Sequence, residues 1–272
     1  MHVKEYFEIA RPLNCIMAAL AVFIGASVAF GGIDFSFPVL LAMISAFLIC
    51  GAGQAINDFF DYEIDRKKDG RAKTIKKLGR KNVLYYSIIL FLAGNSIAYF
   101  INPAAFGIAL AFSILLIAYS AFMGRIKFIG NWVVASGTAA TLIFGASVWG
   151  NYSLAIQFAA AALFANVARE ITKDFEDLKA DEGFKRSLPM VVGARAEYFA
   201  SFLYAAAFMV GINLWIFGAV KSWIYMVLIF ASGIIFLLSA VEMRKGNFSG
   251  SQRLGKYGML TALLAFMASV VS

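Results

Sequence analysis

The sequence predicts an all-α membrane protein: one domain over residues 1–272, a bundle of nine transmembrane helices with cytoplasmic cap segments. Three observations carry that expectation. The 272 residues are 61% hydrophobic with a mean hydropathy of +0.78, against roughly 45–50% apolar residues in soluble domains. The apolar residues come in runs of about 20, the length that crosses a bilayer as helix. The charges between the runs also alternate in density, so that nearly all of them collect on one face.

Taken in order, the spans cover roughly 13–32, 37–58, 83–101, 104–123, 128–149, 152–170, 197–218, 222–242 and 255–271. Gly31-Gly32, Asn102-Pro103, Gly150-Asn151 and the stretch from Gly218 to Lys221 mark tight connections on one side. The other connections are charged, and most are longer. With nine spans, all of the 24 Lys and Arg residues except Lys221 share the face that holds the N-terminus. The positive-inside rule makes that face cytoplasmic and puts the C-terminus outside a multi-pass cell-membrane protein. All of the 16 acids except Asp34 fall on the same face, so any chemistry is expected there. The short amphiphilic N-terminus lacks the pattern of a cleaved signal. Cys15, Cys50 and the lone His2 form no metal-type or disulfide spacing. The net charge of +8 lies in membrane-proximal loops without a recognition module, which argues against nucleic acid. It suits anionic lipid headgroups, an anionic substrate, or both.

Two acidic stretches stand out. Asn57-Asp58-Phe59-Phe60-Asp61-Tyr62-Glu63-Ile64-Asp65 closes the second span, and the run from Lys173 through Asp181 follows the sixth. Asp58, Asp61 and Asp65 recur as Asp174, Asp177 and Asp181, each 116 residues later. On a helix, positions i, i+3 and i+7 fall within about 60° of one face. A solvated helix end is the usual meaning of such a charge run. Two features weigh against it: the first run begins inside an apolar span, where carboxylates are costly without a cavity, partner or metal, and the spacing is repeated. An all-oxygen donor set without His or Cys suits a hard ion, and Mg²⁺ combines a few carboxylates with substrate phosphates. Six aspartates around one cavity then point to Mg²⁺, two ions, bridging a diphosphate that leaves from its substrate.

These residues resemble the UbiA superfamily of intramembrane prenyltransferases. Asn57-Asp58-x2-Asp61-x3-Asp65 is similar to that family's first Asp-rich motif and Asp174-x2-Asp177-x3-Asp181 to its second. Tyr119-Ser120, Gly130-Asn131 and Ser187-Leu188-Pro189 are smaller matches, and the likeness spans essentially the whole chain. It implies Mg²⁺-dependent transfer of a prenyl group from a prenyl diphosphate donor whose tail lies along the bundle cavity. The opening from Glu8 to Cys15 and Arg169-Glu170-Ile171-x-Lys173-Asp174 look like the members that build archaeal ether lipids. That implies a lipid-like phosphate acceptor: a geranylgeranyl group passes to the free hydroxyl of geranylgeranylglyceryl phosphate in membrane lipid synthesis, with no obligatory protein partner. One departure is the stretch from Lys68 to Thr74, which lacks the prolines the family commonly has there.

The resemblance assigns Asp58, Asp61, Asp174 and Asp177 as the metal-binding core, with Asp65 and Asp181 one turn further along. Asn57 and Lys173 are expected to orient the diphosphate; helix packing and intrahelical pairing are their plain alternatives. Arg66, Lys67, Arg125, Lys127, Lys185 and Arg186 are expected to bind phosphate oxygens, and Arg11 and Asn14 either to contact the acceptor or to anchor the first helix. Other classes fit less well. Ion-coupled transporters favour sites near the midplane, whereas these clusters close cytoplasmic helix ends. A CDP-alcohol phosphotransferase keeps its acids in one contiguous motif, and a soluble isoprenoid synthase needs no apolar spans. Within the family, an aromatic, quinone-precursor prenyltransferase is the alternative.

Overall fold

A computed structural model describes residues 3–62, 71–122, 127–178 and 186–271, apart from the side chains of Arg71 and Lys127. Every regular element of length among these residues is a helix. In chain order they are α1 (Val3–Ala10), α2 (Pro12–Phe30), α3 (Phe37–Phe60), α4 (Arg71–Leu78), α5 (Arg80–Ile101), α6 (Pro103–Ala121), α7 (Lys127–Ala146), α8 (Ser153–Glu176), α9 (Leu188–Val192), α10 (Arg195–Ile216), α11 (Trp223–Arg244) and α12 (Phe248–Ala268). Eight of them, α2, α3, α5 to α8, α10 and α11, are long and apolar enough to cross a membrane. The expected ninth span is α12, a helix of 21 residues. Its first half carries Ser251, Gln252, Arg253 and Lys256, which lowers its hydropathy below that of the other eight.

The helix ends follow local chemistry. Pro12 opens α2, where its missing N–H is no loss. Arg11 before it takes a left-handed backbone, φ 51°, and breaks α1 from α2. The Cys15 thiol donates to the Ala10 carbonyl at 3.1 Å and closes the corner. Gly31, at φ 82°, ends α2, and its N–H and that of Gly32 both reach the Ser27 carbonyl. At the same end of the bundle Asp34 accepts from the Ser36 N–H and from the Trp149 indole at 2.9 Å, clasping two connections together.

The helices form a closed ring, with α2, α3, α5 and α6 in one half and α7, α8, α10, α11 and α12 in the other. The halves meet where α2 crosses α7 at backbone distance. A Cβ on Gly25 would lie 2.1 Å from the Leu142 carbonyl oxygen, and one on Gly145 2.0 Å from that of Val22. Small residues permit such approach where lipid supplies no hydrophobic drive between helices. Buried hydroxyls stitch neighbours: Ser45 donates to the Gly94 carbonyl, Ser87 to Ala52, and Ser232 to Gly258. The ring encloses a cavity of about 1000 Å³. Near one end of the bundle α4 buries Ile75 and Leu78 against Ile9 of α1 and Ala55 of α3. The Lys73, Lys76 and Lys77 stretch of α4 carries its charge, and Lys77 approaches Glu5 at 3.8 Å.

Candidate functional site

The cavity mouth lies where α3 and α8 end. From α3 it is lined by Cys50, Gly53, Gln54 and Asn57, and from α8 by Asn166, Arg169, Glu170 and Lys173. The two helices present these residues in one register: Gln54 and Asn57 stand 116 residues before Glu170 and Lys173, the offset of the aspartates. Asp61 lies four residues beyond Asn57, and Asp177 four beyond Lys173, so each continues its cavity-facing stripe by one turn. Asn57 Nδ2 donates to Asp61 Oδ2 at 3.1 Å. Both Asp61 and Asp177 are half-buried, and each is the residue at which its helix stops.

Asp58 and Asp174 lie on the flank of the same stripes and are packed away from water, at 0% and 2% exposure. Each is held by a residue from the preceding long helix. Arg11, at the head of α2, forms an ion pair with Asp58. Asn131, near the head of α7, donates to Asp174 Oδ2 at 2.7 Å. A buried carboxylate needs such donors, since an unpaired charge at membrane depth is costly. Bonds of this kind also fix the orientation of a carboxylate that ligates a metal.

A second polar network lies deeper in α8. Arg169 Nε donates to Asn166 Oδ1 at 3.0 Å and its guanidinium pairs with Glu170. Asn166 in turn donates to the Thr138 hydroxyl on α7 at 2.7 Å. Below that level the cavity turns apolar, lined by Ile49, Phe112 and Phe144 on one side and Phe208, Phe236 and Phe266 on the other. The chamber therefore has a charged mouth and a long hydrocarbon-like depth, the shape of an amphiphile.

The expected site residues divide as follows. Asn57, Lys173, Arg11 and Asn14 line the cavity. Asp58, Asp61, Asp174 and Asp177 stand at the ends of α3 and α8 and are not among the lining residues, and no three His, Cys, Asp or Glu side chains among the described residues form a compact metal cluster. Arg186 is exposed and is not among the lining residues. Asp65, Arg66, Lys67, Arg125, Asp181 and Lys185, and the side chain of Lys127, lie outside the described residues. Asn131 as the holder of Asp174 was not anticipated from sequence, nor was the Asn166–Arg169–Glu170 network as cavity wall. A charged pair inside the apolar sixth span was the available signal.

Comparison with known proteins fits this architecture. The model of the UbiA prenyltransferase family matches residues 18–270. The chain is 38% identical over 208 residues to the digeranylgeranylglyceryl phosphate synthase of Thermococcus kodakarensis, 75% of each protein. It is 33% identical over 273 residues to that of Methanopyrus kandleri, covering 99% of this chain and 100% of the relative. A solved structure described as digeranylgeranylglyceryl phosphate synthase superposes with a TM-score of 0.84 at 28% identity over 99% of both chains. A UbiA homologue from Archaeoglobus fulgidus bound to DMAPP and Mg²⁺ shares the fold, with a TM-score of 0.71 at 17% identity over 96% of this chain and 99% of that one.

Proposed function

The chain belongs to the UbiA prenyltransferase family, and we propose that it transfers a geranylgeranyl group from geranylgeranyl diphosphate to the free hydroxyl of geranylgeranylglyceryl phosphate. The bond from the allylic carbon to the diphosphate oxygen breaks and diphosphate leaves, while an ether bond forms from that carbon to the hydroxyl oxygen, which releases its proton. The observation that carries this reading is the pair of Asp-bearing helix ends, in one register, at the mouth of a cavity with an apolar depth. The end-to-end likeness to relatives of that printed activity selects the acceptor.

Asp58, Asp61, Asp174 and Asp177 are the residues we assign to hold Mg²⁺, two ions in all, with Asp65 and Asp181 as outer partners. Their all-oxygen chemistry fits that ion, and the relative with this fold that carries Mg²⁺ and DMAPP supports it. When bound, magnesium offsets the charge of the diphosphate and stabilises it as a leaving group. Arg11 and Asn131 keep two of the carboxylates oriented. Asn57 and Lys173, which line the cavity from α3 and α8, are the residues we assign to orient the diphosphate. We assign Arg66, Lys67, Arg125, Lys127, Lys185 and Arg186 to bind its phosphate oxygens. The apolar depth holds the prenyl tails and excludes water from the reacting carbon. We assign α12 as the ninth span of a single domain, with the N-terminus and the Asp-bearing ends cytoplasmic, on the strength of the charge asymmetry.

The test is a membrane assay with labelled geranylgeranyl diphosphate. It offers geranylgeranylglyceryl phosphate or 4-hydroxybenzoate, with and without EDTA. The expected product is a lipid ether formed only from the first acceptor and only without chelator. Prenylation of the aromatic ring refutes the acceptor, and full activity in both Asp58→Ala and Asp174→Ala refutes the metal assignment.

A further inference from the structure

The cavity has a second basic bank that the aspartate motifs leave unexplained. α12 contributes Gln252, Lys256, Met259 and Leu263 to the wall, residues three or four apart and so on one face. Gln252 Nε2 donates to Glu176 Oε2 at 2.9 Å, tying α12 to the end of α8. One turn deeper, Gly255 lets α12 close on α10 and α8: a Cβ there would lie 2.4 Å from the hydroxyl of Tyr204 on α10 and 3.7 Å from Arg169 Cγ on α8. Lys256 and Arg169 thus enter the cavity from adjoining helices at matched depth. By helix rise, Arg169 lies about 10 Å inside the end of α8 and Lys256 about 12 Å inside the start of α12.

The charges at this level are unbalanced. Arg169 is paired with Glu170, whereas Lys256 has no ion pair among the described residues. An ammonium so far along a membrane helix calls for a polar cavity or an anion. The polar half of α12 also sets this helix apart from the eight apolar ones. Immediately below, Leu263 and Phe266 of α12 join Phe208 of α10 and Ile229 of α11 in an apolar wall. This α8–α12 seam therefore has a cationic head region over a hydrocarbon channel. On the other side, Met17 of α2, Ile49 of α3 and Phe112 of α6 continue the apolar lining of the same cavity beneath Arg11 and Asn57.

We propose that Lys256, with Arg169 and Gln252, binds the phosphate of the acceptor lipid. The acceptor lies along the α8–α12 seam, while the donor tail takes the α2–α3–α6 side with its diphosphate between the aspartates. The inference rests on the lipid-phosphate reading of the acceptor given above. It assigns the donor and acceptor anions to different residues, and that separates their kinetics.

The experiment uses the full chain in nanodiscs and measures KM for donor and acceptor separately. It also measures direct binding of geranylgeranylglyceryl phosphate and of its phosphate-free alcohol. In Lys256→Gln the acceptor KM is expected to rise about tenfold or more, the worth of one charged hydrogen bond. The preference for the phosphate lipid over the alcohol falls with it, the donor KM shifts by less than about twofold, and Lys256→Arg restores most of the loss. An unchanged acceptor KM, or a parallel rise in donor KM, overturns the proposal. Unchanged phosphate preference in a Lys256→Gln protein that melts like the wild type overturns it as well. Failure of the wild type to bind or use the phosphate lipid refutes the acceptor reading itself. Turnover of that lipid with indifferent Lys256 variants refutes only the placement on α12.

Discussion

Replacing Arg11 tests how the first motif is held, because two opposing terms meet in this residue. Its side chain forms an ion pair with Asp58; the two side chains are 26% and 0% exposed. Removing one member of a buried pair costs about 3–5 kcal/mol, since the other charge stays behind, and the partial exposure of Arg11 puts the expected loss near the lower figure. Its backbone, at φ 51°, also sits in the left-handed region, which costs a non-glycine residue roughly 1–2 kcal/mol. Arg11→Ala loses the pair and keeps the backbone strain, a net loss of about 3 kcal/mol. Arg11→Gly loses the pair and sheds the strain, so it is expected to lie about 1 kcal/mol above the alanine variant. For a chain of this size 1 kcal/mol moves the melting temperature by about 2–4 °C. Thermal unfolding in matched detergent should therefore rank wild type first, Arg11→Gly second and Arg11→Ala last, with the alanine variant roughly 6–12 °C below wild type. An alanine variant that melts with the wild type refutes the pairing as the anchor of Asp58. A glycine variant below the alanine one refutes the backbone argument.

Three further outcomes follow from the same contacts. Asn131→Ala removes the buried donor to Asp174; a titration of activity against Mg²⁺ should show half-saturation raised about 10–100-fold, the usual effect of losing a support behind a metal ligand. Gly145→Val places carbon 2.0 Å from the Val22 carbonyl oxygen on α2, so the two halves cannot close, and gel filtration of the detergent extract should show loss of the folded peak. Trp149→Phe deletes one hydrogen bond to Asp34 at the end of the bundle away from the aspartate motifs; stability should fall by about 1–3 kcal/mol while kcat and both KM values stay at the wild-type level.

The spans were legible because each is a local property. A run of about 20 apolar residues has little choice but to become helix in lipid, where every backbone group must be satisfied internally. The ends differ where polar residues keep to a helix. The sixth span was expected to stop near residue 170, yet α8 continues to Glu176. Arg169, Glu170 and Lys173 read as the start of a loop, but as cavity wall they belong inside the helix. The last span was expected from residue 255, and α12 begins at Phe248 for the same reason. The short helices α4 and α9 within charged connections gave no periodic signal long enough to detect.

The sequence by itself determined the membrane class and the two aspartate stripes. Each depends on composition or on spacing within a few turns of one helix. Only the tertiary structure decided what those stripes touch. Arg11 reaches Asp58 across 47 residues and Asn131 reaches Asp174 across 43. Gly25 and Gly145 bring α2 and α7 to backbone contact, and Gly255 brings α12 against Tyr204 and Arg169. The physical reason is that helix propensity and hydropathy act along the chain and carry no register between helices. That register comes from side-chain packing and interhelical hydrogen bonds in a solvent that does not itself drive helices together.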